Sequence, residues 1–430
     1  METLISPLDG RYAEQIKDLA ADFSDEELNY QRIRAMYEHL NLILSMVNIP
    51  PIEFPTDSRS VMQQKVTEIE KVTRHDVKAV EYYLRDVYND HQEIYPYIHF
   101  GLTSNDVNSV AYSIMLKNGS IEILGKTKQV MRAMGKFAVN YPMLSHTHGQ
   151  PATPTTFKYT INVFLERLSR QFEQFRNYIN NMSVKYGGAT GGLNTFYLID
   201  PKVDWRSILD TFLMDKFELK ANRYTTQIDH YDNFAELFDN LRRINVIFLD
   251  FVTDMWQYIS MGYIKQIPVA GEVGSSTMPH KVNPIQMENA EGNIHMSNSL
   301  LQCFSLKLPN SRMQRDLSDS TILRNIGVAY GHSYLAMQSI LSGLTRYKPD
   351  EQAMLADLDK HWEILAEAVQ TVLRWEGKAD AYELLKEYTR NNKNMNKESY
   401  IVMVNELPLS AEGKEKLLKL TPASYLPGYE

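Results

Sequence analysis

Between Pro201 and Pro268 the chain contains no proline, and within that stretch apolar residues recur at Phe234, Leu237, Leu241, Ile244, Phe248, Phe251, Met255 and Tyr258. The spacing alternates three and four. It draws a continuous stripe along a helix of about seven turns, the seam by which one helix packs on another at a small crossing angle. Val246, Ile247 and Val252 widen the stripe, so this helix is buried on several sides and belongs inside a bundle. Asp232 is placed to cap its N-terminus. A chain organised round such an element folds as long helices and not as a doubly wound sheet.

Similar periodicity predicts helices over 120–140, 154–181, 287–306, 325–345 and 350–374, with Pro154 at the start of the second. Few segments alternate strictly enough for a half-buried strand. The expected architecture is all-α with a long central bundle. Two interruptions, Tyr95-Pro96-Tyr97 and Tyr347-Lys348-Pro349, divide it into an N-terminal helical domain (1–92), a central long-helix domain (93–344) and a C-terminal helical domain (345–430). Gly- and Pro-rich stretches break the centre at 146–154, 187–192 and 269–284. The run 187–192 follows a helical pattern instead of a strand, which rules it out as a dinucleotide loop.

A chain of 430 residues with 43% hydrophobic content buries a large core. A net charge of −8 offers no basic field for nucleic acid, although clustered arginines can still make a cationic pocket. No apolar run reaches the length of a membrane span, and the N-terminus lacks a signal-peptide pattern, so a cytoplasmic location is expected. The single cysteine, Cys303, excludes an intramolecular disulfide and a cysteine-based zinc site; it is expected as a small buried hydrophobe.

The densest chemical signal lies at 271–284, Gly-Glu-Val-Gly-Ser-Ser-Thr-Met-Pro-His-Lys-Val-Asn-Pro. Glycines, serines and prolines make a loop that feeds a helix at Ile285. Lys281 and Asn283 place a cation and a donor beside the helix start, which suits an anion; a polar surface connection is the plainer alternative. Thr103 and Ser104 offer hydroxyls and amides to a carboxylate, and Ser104 equally suits a helix N-cap. His146 and His148 stand in a loop with no carboxylate or cysteine cluster nearby. No metal is expected there, and a loop histidine is a natural general acid.

The run 274–284 resembles the signature loop of the fumarase/aspartase superfamily, whose members eliminate fumarate from a succinyl-bearing substrate. Its Pro279-His280-Lys281 variant is similar to the adenylosuccinate lyase branch; fumarases tend to carry Gly, and argininosuccinate lyases Gln, at the position of His280. Two further superfamily segments occur in order, at 101–106 and 145–152. His146 departs from the arginine common in relatives, while Thr147 and His148 are kept. The resemblance continues through Ser6-Pro7-Leu8-Asp9-Gly10-Arg11-Tyr12, the stretch 73–81 with its His75-Asp76 pair, Tyr224-Thr225-Thr226-Gln227-Ile228, the stretch 314–325, and the tail 420–425.

This resemblance implies a homotetramer of three-domain helical subunits, a twenty-helix core, and active sites shared between subunits. It implies no metal and no organic cofactor. The implied substrates are adenylosuccinate, giving AMP and fumarate, and the succinylcarboxamide ribonucleotide SAICAR, giving AICAR. Ser275 would be the base, His148 the acid for the departing amine, and Glu288 the carboxylate orienting His148. Lys281 and Asn283 would stabilise the developing aci-carboxylate, and His75 would bind the nucleotide or assist the leaving group. Arg11, Tyr12, Arg315, Ser320 and Arg324 would hold phosphate. Arg74, Asp76, Thr103, Ser104, Thr147, Gln227, Ser276 and Met278 complete the expected substrate-binding set. The alternatives are a sister fumarate-releasing lyase and a non-catalytic helical scaffold.

Overall fold

The computed structural model describes residues 4–268, 271, 277–278, 281–391 and 395–428. They form a helical protein with six helices longer than twenty residues among those described: Asp25–Met46, Ser104–Phe137, Phe157–Asn180, Asp232–Ser260, Ile285–Lys307 and Ile326–Arg346. The chain divides into two compact units. The first comprises Met1–Lys128, Ser169–Leu249 and Asn289–Ser339; the second comprises Gln129–Leu168, Asp250–Glu288 and Ile340–Glu430. No helix among the described residues is long and apolar enough to cross a membrane.

The first unit is built on the predicted stripe. Phe234, Leu237, Leu241, Ile244 and Phe248 are all fully buried, and Phe238 packs edge-on against Phe304 and Tyr330. A buried polar ladder fixes how three helices align. Asn245 Nδ2 donates to Ser297 Oγ at 3.2 Å, Ser333 Oγ donates to Asn245 Oδ1 at 2.7 Å, and Ser297 Oγ donates to the Ala329 carbonyl at 2.8 Å. Sliding any of these helices by a turn strands buried polar groups, at about 1–3 kcal/mol each.

The second unit contains a hairpin of Pro142–Thr147 against Gln150–Thr156, antiparallel with a register shift between Leu144 and His146. Its C-terminal helices enclose a core that includes Trp362, Leu365, Val369, Leu373, Tyr400 and Met403.

Several local expectations are corrected. Pro154 lies in a strand opposite Leu144, and the helix that follows starts at Phe157. The helix expected from 120 is already running at Ser104. Asp232 is the first helical residue and not the cap. The helix expected over 350–374 is broken: Glu351–Leu358 ends, a 3-10 turn follows at Trp362–Leu365, and Ala366–Trp375 resumes. Cys303 is exposed, because it faces outward from Ile285–Lys307 while Leu301 and Phe304 turn inward.

Candidate active site

In the first unit, the helix Ser104–Phe137 starts three residues after Gly101, which adopts φ +72°; a Cβ there would lie 2.6 Å from the Phe196 ring. Three residues into the segment, Asp106 is fully buried. Its Oδ2 accepts from the Thr103 amide at 2.7 Å and the Thr103 hydroxyl at 3.1 Å. Its Oδ1 accepts from the amides of Gly187 and Gly188 at 2.7 and 3.2 Å. Lys185 Nζ completes the set, 2.7 Å from Oδ1, and also donates to Thr103 Oγ1 and the Gly188 carbonyl. Burial pushes the Lys185 ammonium down from the ordinary lysine range, against the opposing pull of Asp106 and Asp229; the Arg315 charge adds to the lowering. A second buried carboxylate, Asp229, accepts from the Lys185 amide and the Ser109 hydroxyl, both at 2.8 Å. The Gly-rich run is thus an amide donor to a protein carboxylate.

One residue further, Tyr186 OH lies 2.9 Å from His39 Nδ1, and His39 Nε2 lies 2.8 Å from the Phe100 carbonyl. The carbonyl requires Nε2 to donate, so in the neutral imidazole Nδ1 accepts from the tyrosine. Burial lowers the His39 pKa from 6.5 to about 4. Since the folded value is depressed, this group's contribution to stability is complete above about pH 6.5 and is lost as the pH falls towards 4. By pH 5 the loss from this residue is about 2 kcal/mol. Urea unfolding at pH 7.5 and 5.0 should show that excess loss in the native chain and not in His39→Gln; equal losses would place the acid sensitivity elsewhere.

Arg74 ends the helix Arg59–Thr73 in a left-handed conformation, and His75 caps the next helix, its Nδ1 accepting from the Lys78 amide at 3.2 Å. With Nδ1 so used, a neutral His75 carries its proton on Nε2. Its side chain is about half exposed. Asp76 is gripped by the buried Arg32 at 2.6 Å and faces Arg324 at 3.8 Å. Burial, the largest single influence, raises the Asp76 carboxyl, but Arg32, the Val77 amide, His75 and Arg324 outweigh it and hold the group below its ordinary value. A cavity of about 190 Å³ beside Arg324 is lined by Ser6, Leu8 and Asp9. Arg11 and Tyr12 follow these residues in a turn closed by the Tyr12 amide on the Pro7 carbonyl at 3.0 Å.

Gln227 donates its amide to the Gln314 carbonyl at 3.2 Å, which sets it beside Arg315. Ser320 and Arg324 follow the buried Asp319, on and just past the short helix Ser318–Leu323. Neither Arg315 nor Arg324 is paired with Asp316 or Asp319 among the described residues; Asp316 instead accepts from Ser318 and the Arg312 amide.

In the second unit, His148 and Gly149 form the two-residue turn of the hairpin, with φ of +52° and +70°, between the paired Thr147 and Gln150. Positive φ at both central positions is the primed turn that matches strand twist. It leaves Thr147 and His148 exposed at the tip. Lys281 is exposed, its amide donating to the Met278 carbonyl at 3.0 Å. Asn283 is partly buried just before the helix Ile285–Lys307. In the first turn of that helix Glu288 accepts from Trp256 Nε1 at 3.2 Å, and among the described residues it makes no hydrogen bond to His148. Ser275 and Ser276 lie outside the described residues.

The expected residues thus fall into two groups. The first unit holds Arg11, Tyr12, Arg74, His75, Asp76, Thr103, Ser104, Gln227, Arg315, Ser320 and Arg324; the second holds Thr147, His148, Met278, Lys281, Asn283 and Glu288. Sequence reasoning missed Arg32, His39, Asp106 and Lys185. For the first two a signal existed: both lie on the apolar phase of Asp25–Met46, beside Leu28, Met36, Leu40 and Ile43, where a polar residue needs a buried partner.

The family model described as Lyase matches residues 56–296, and that described as adenylosuccinate lyase C-terminal matches residues 311–426. An adenylosuccinate lyase of Legionella pneumophila is 41% identical, covering 98% of this chain and 96% of its own length. Those of Dictyostelium discoideum and Escherichia coli are 40% and 39% identical, each covering 99% of this chain and 96% of its own length. Among solved structures, a fumarate lyase from Mesorhizobium superposes with a TM-score of 0.76 at 17% identity, over 95% of each chain. A 3-carboxy-cis,cis-muconate lactonizing enzyme from Pseudomonas putida gives 0.70 at 20% identity, over 97% of this chain and 94% of its own. At such identities the structural likeness speaks for the fold, and the full-length sequence likeness for the lineage: the chain belongs to the adenylosuccinate lyase family.

Proposed function

We propose that this chain releases fumarate from adenylosuccinate, giving AMP, and from SAICAR, giving AICAR, by β-elimination across a carbon–nitrogen bond. The full-length likeness to adenylosuccinate lyases carries the reading. The cavity that Ser6, Leu8 and Asp9, just before Arg11 and Tyr12, line together with Arg324 supports it further, since a lyase acting on malate or aspartate has no phosphate to hold. Fumarate absorbance after mixing with adenylosuccinate, SAICAR, argininosuccinate, aspartate and malate tests it: only the first two should react. Release from any of the others in their place would assign a sister activity, and release from none a scaffold.

The proton removed lies beside a carboxylate and is very weakly acidic. Its removal loads a second negative charge onto that carboxylate, so stabilisation must come from positioned cations and donors. Lys281 and Asn283 take this role, and Ser275 is the base. A serine serves as base only where closure excludes water and a cation favours the alkoxide. The departing amine takes its proton from His148, whose tight turn holds the imidazole out from the hairpin. Glu288 would fix the tautomer of that imidazole, as carboxylates do in other histidine sites. Ser104 binds a succinyl carboxylate, His75 presents Nε2–H to the nucleotide, and Thr147, Gln227, Ser276 and Met278 line the substrate. No metal or organic cofactor has a part in this scheme.

Within one chain Glu288 is hydrogen bonded to Trp256 and not to His148. That supports a homotetramer in which different subunits supply parts of each site. Val246, Met296 and Leu306, 46, 53 and 70% exposed on long helices, fit burial in a shared helical core. The division at 1–92, 93–344 and 345–430 and a cytoplasmic location complete the reading.

Arg315 and Arg324 hold phosphate through charge-assisted hydrogen bonds. Replacing either by Gln should raise KM for the nucleotide roughly ten- to a hundredfold, the 1.5–3 kcal/mol of one such bond. A succinylated nucleoside lacking phosphate should be indifferent to the change. Equal losses on both substrates would remove the assignment.

A further inference from the structure

The network round Asp106 uses up Thr103 and leaves Ser104 open. The Thr103 amide and hydroxyl both donate to Asp106 Oδ2, and the same hydroxyl accepts from Lys185 Nζ at 3.1 Å. The one hydroxyl proton and the one amide proton are therefore committed inside the protein. Ser104 is the first residue of its helix, so its amide is one of the donors a helix cannot satisfy internally. Its side chain has no hydrogen-bond partner among the described residues and is only partly buried.

We infer that Lys185 and Asp106 are positioning residues that lock Thr103 as a structural post, so that Ser104, the next residue, is the donor aimed at a succinyl carboxylate. The inference rests on the fumarate-releasing function proposed above and divides the labour of two adjacent hydroxyl residues. Asp106 receives four N–H or O–H donors and an ammonium on two oxygens. Asparagine cannot replace it, because an amide has one accepting oxygen and its NH₂ would face donors. Lys185 answers the charge: both side chains are fully inaccessible, and a buried carboxylate without a cation is strongly disfavoured. The lysine also bonds the Gly188 carbonyl at 2.7 Å. It thereby joins the 187–188 turn to the helix start, and neither can shift without the other.

The test uses succinate and AMP as separate probes of the assembled enzyme, with Lys185→Gln and the milder Lys185→Arg compared with Ser104→Ala. Native mass and thermal melting confirm assembly first. In a folded Lys185 variant, inhibition by succinate should weaken tenfold or more while inhibition by AMP stays within about twofold, since only the carboxylate donor has moved. Combining a Lys185 variant with Ser104→Ala should cost less than the sum of the two single losses, because both act through the Ser104 hydroxyl while the Ser104 amide remains in each. If Lys185→Gln does not assemble, the Lys185→Arg and Ser104→Ala combination carries the same comparison. Unchanged succinate inhibition, equal weakening of both inhibitors, or fully additive losses would overturn the positioning role. A Ser104→Ala variant that binds succinate normally would instead overturn the carboxylate site itself.

Discussion

Ser275→Ala is expected to lower kcat about a thousandfold or more while substrate still binds, and Ser276→Ala to leave most of the turnover. The size follows from the role. Removing a general base costs about 10²–10⁴ in rate, and this base abstracts a proton that is barely acidic. The base acts at the proton-transfer step and contributes little to holding the ground state, so kcat and kcat/KM should fall together with little change in binding. The neighbours of the loop fit the demand. Lys281 sits exposed, its amide tied back to Met278, so a cation follows the serines closely in sequence. Single-turnover fumarate release, with equilibrium binding of adenylosuccinate to each variant, decides the matter. Normal turnover in Ser275→Ala with loss in Ser276→Ala would move the base by one residue.

The helices were legible because burial imposes a period. Phe234 to Tyr258 repeats three and four, and all of its first five positions are fully buried. The ends were less legible. At 350–374 the apolar period continues through Asp359-Lys360-His361, yet the chain there turns, with the His361 amide bonding to the Leu358 carbonyl at 3.0 Å. Pro154 suits a helix start and an edge strand equally, and only pairing with Leu144 selects the strand. His148-Gly149 is a hairpin turn written without asparagine, so the primed turn was hidden although histidine tolerates positive φ better than most residues. The usual burial of cysteine predicts an inward Cys303, whereas its position on the helix puts it on the outer face.

The residues proposed to act directly can be named in order along the chain; those that hold them cannot. Asp106 stands three residues after Thr103, but its role depends on Lys185, Gly187 and Gly188, some eighty residues later. Nothing in local spacing links two such segments. His39 and Tyr186 are joined across an even longer separation. Arg32 and His39 alone left a trace, as polar residues on an apolar helix phase. Segments along the chain carry the groups proposed to touch substrate, while the network round Asp106 exists only once distant segments have been brought together.

Mixing two inactive preparations should restore activity. One carries His148→Ala, the other Ser275→Ala; each alone should be nearly inert, since one lacks the acid and the other the base. If every site draws His148 from one subunit and Ser275 from another, gentle dissociation and reassembly of an equal mixture creates sites with both groups intact. Each segment is then intact with probability one half, so activity should recover to about a quarter of the refolded native enzyme, as expected for random assembly of a closed symmetric tetramer. If both groups came from the same chain, every site in every hybrid would still lack one of them, and no mixture would recover. The arrangement within a single chain is consistent with recovery: His148 stands in an exposed hairpin turn, and the carboxylate proposed to orient it is hydrogen bonded to Trp256. Hybrids verified by mass that stay inactive, beside a refolded native control that works, would place His148 and Ser275 in one subunit.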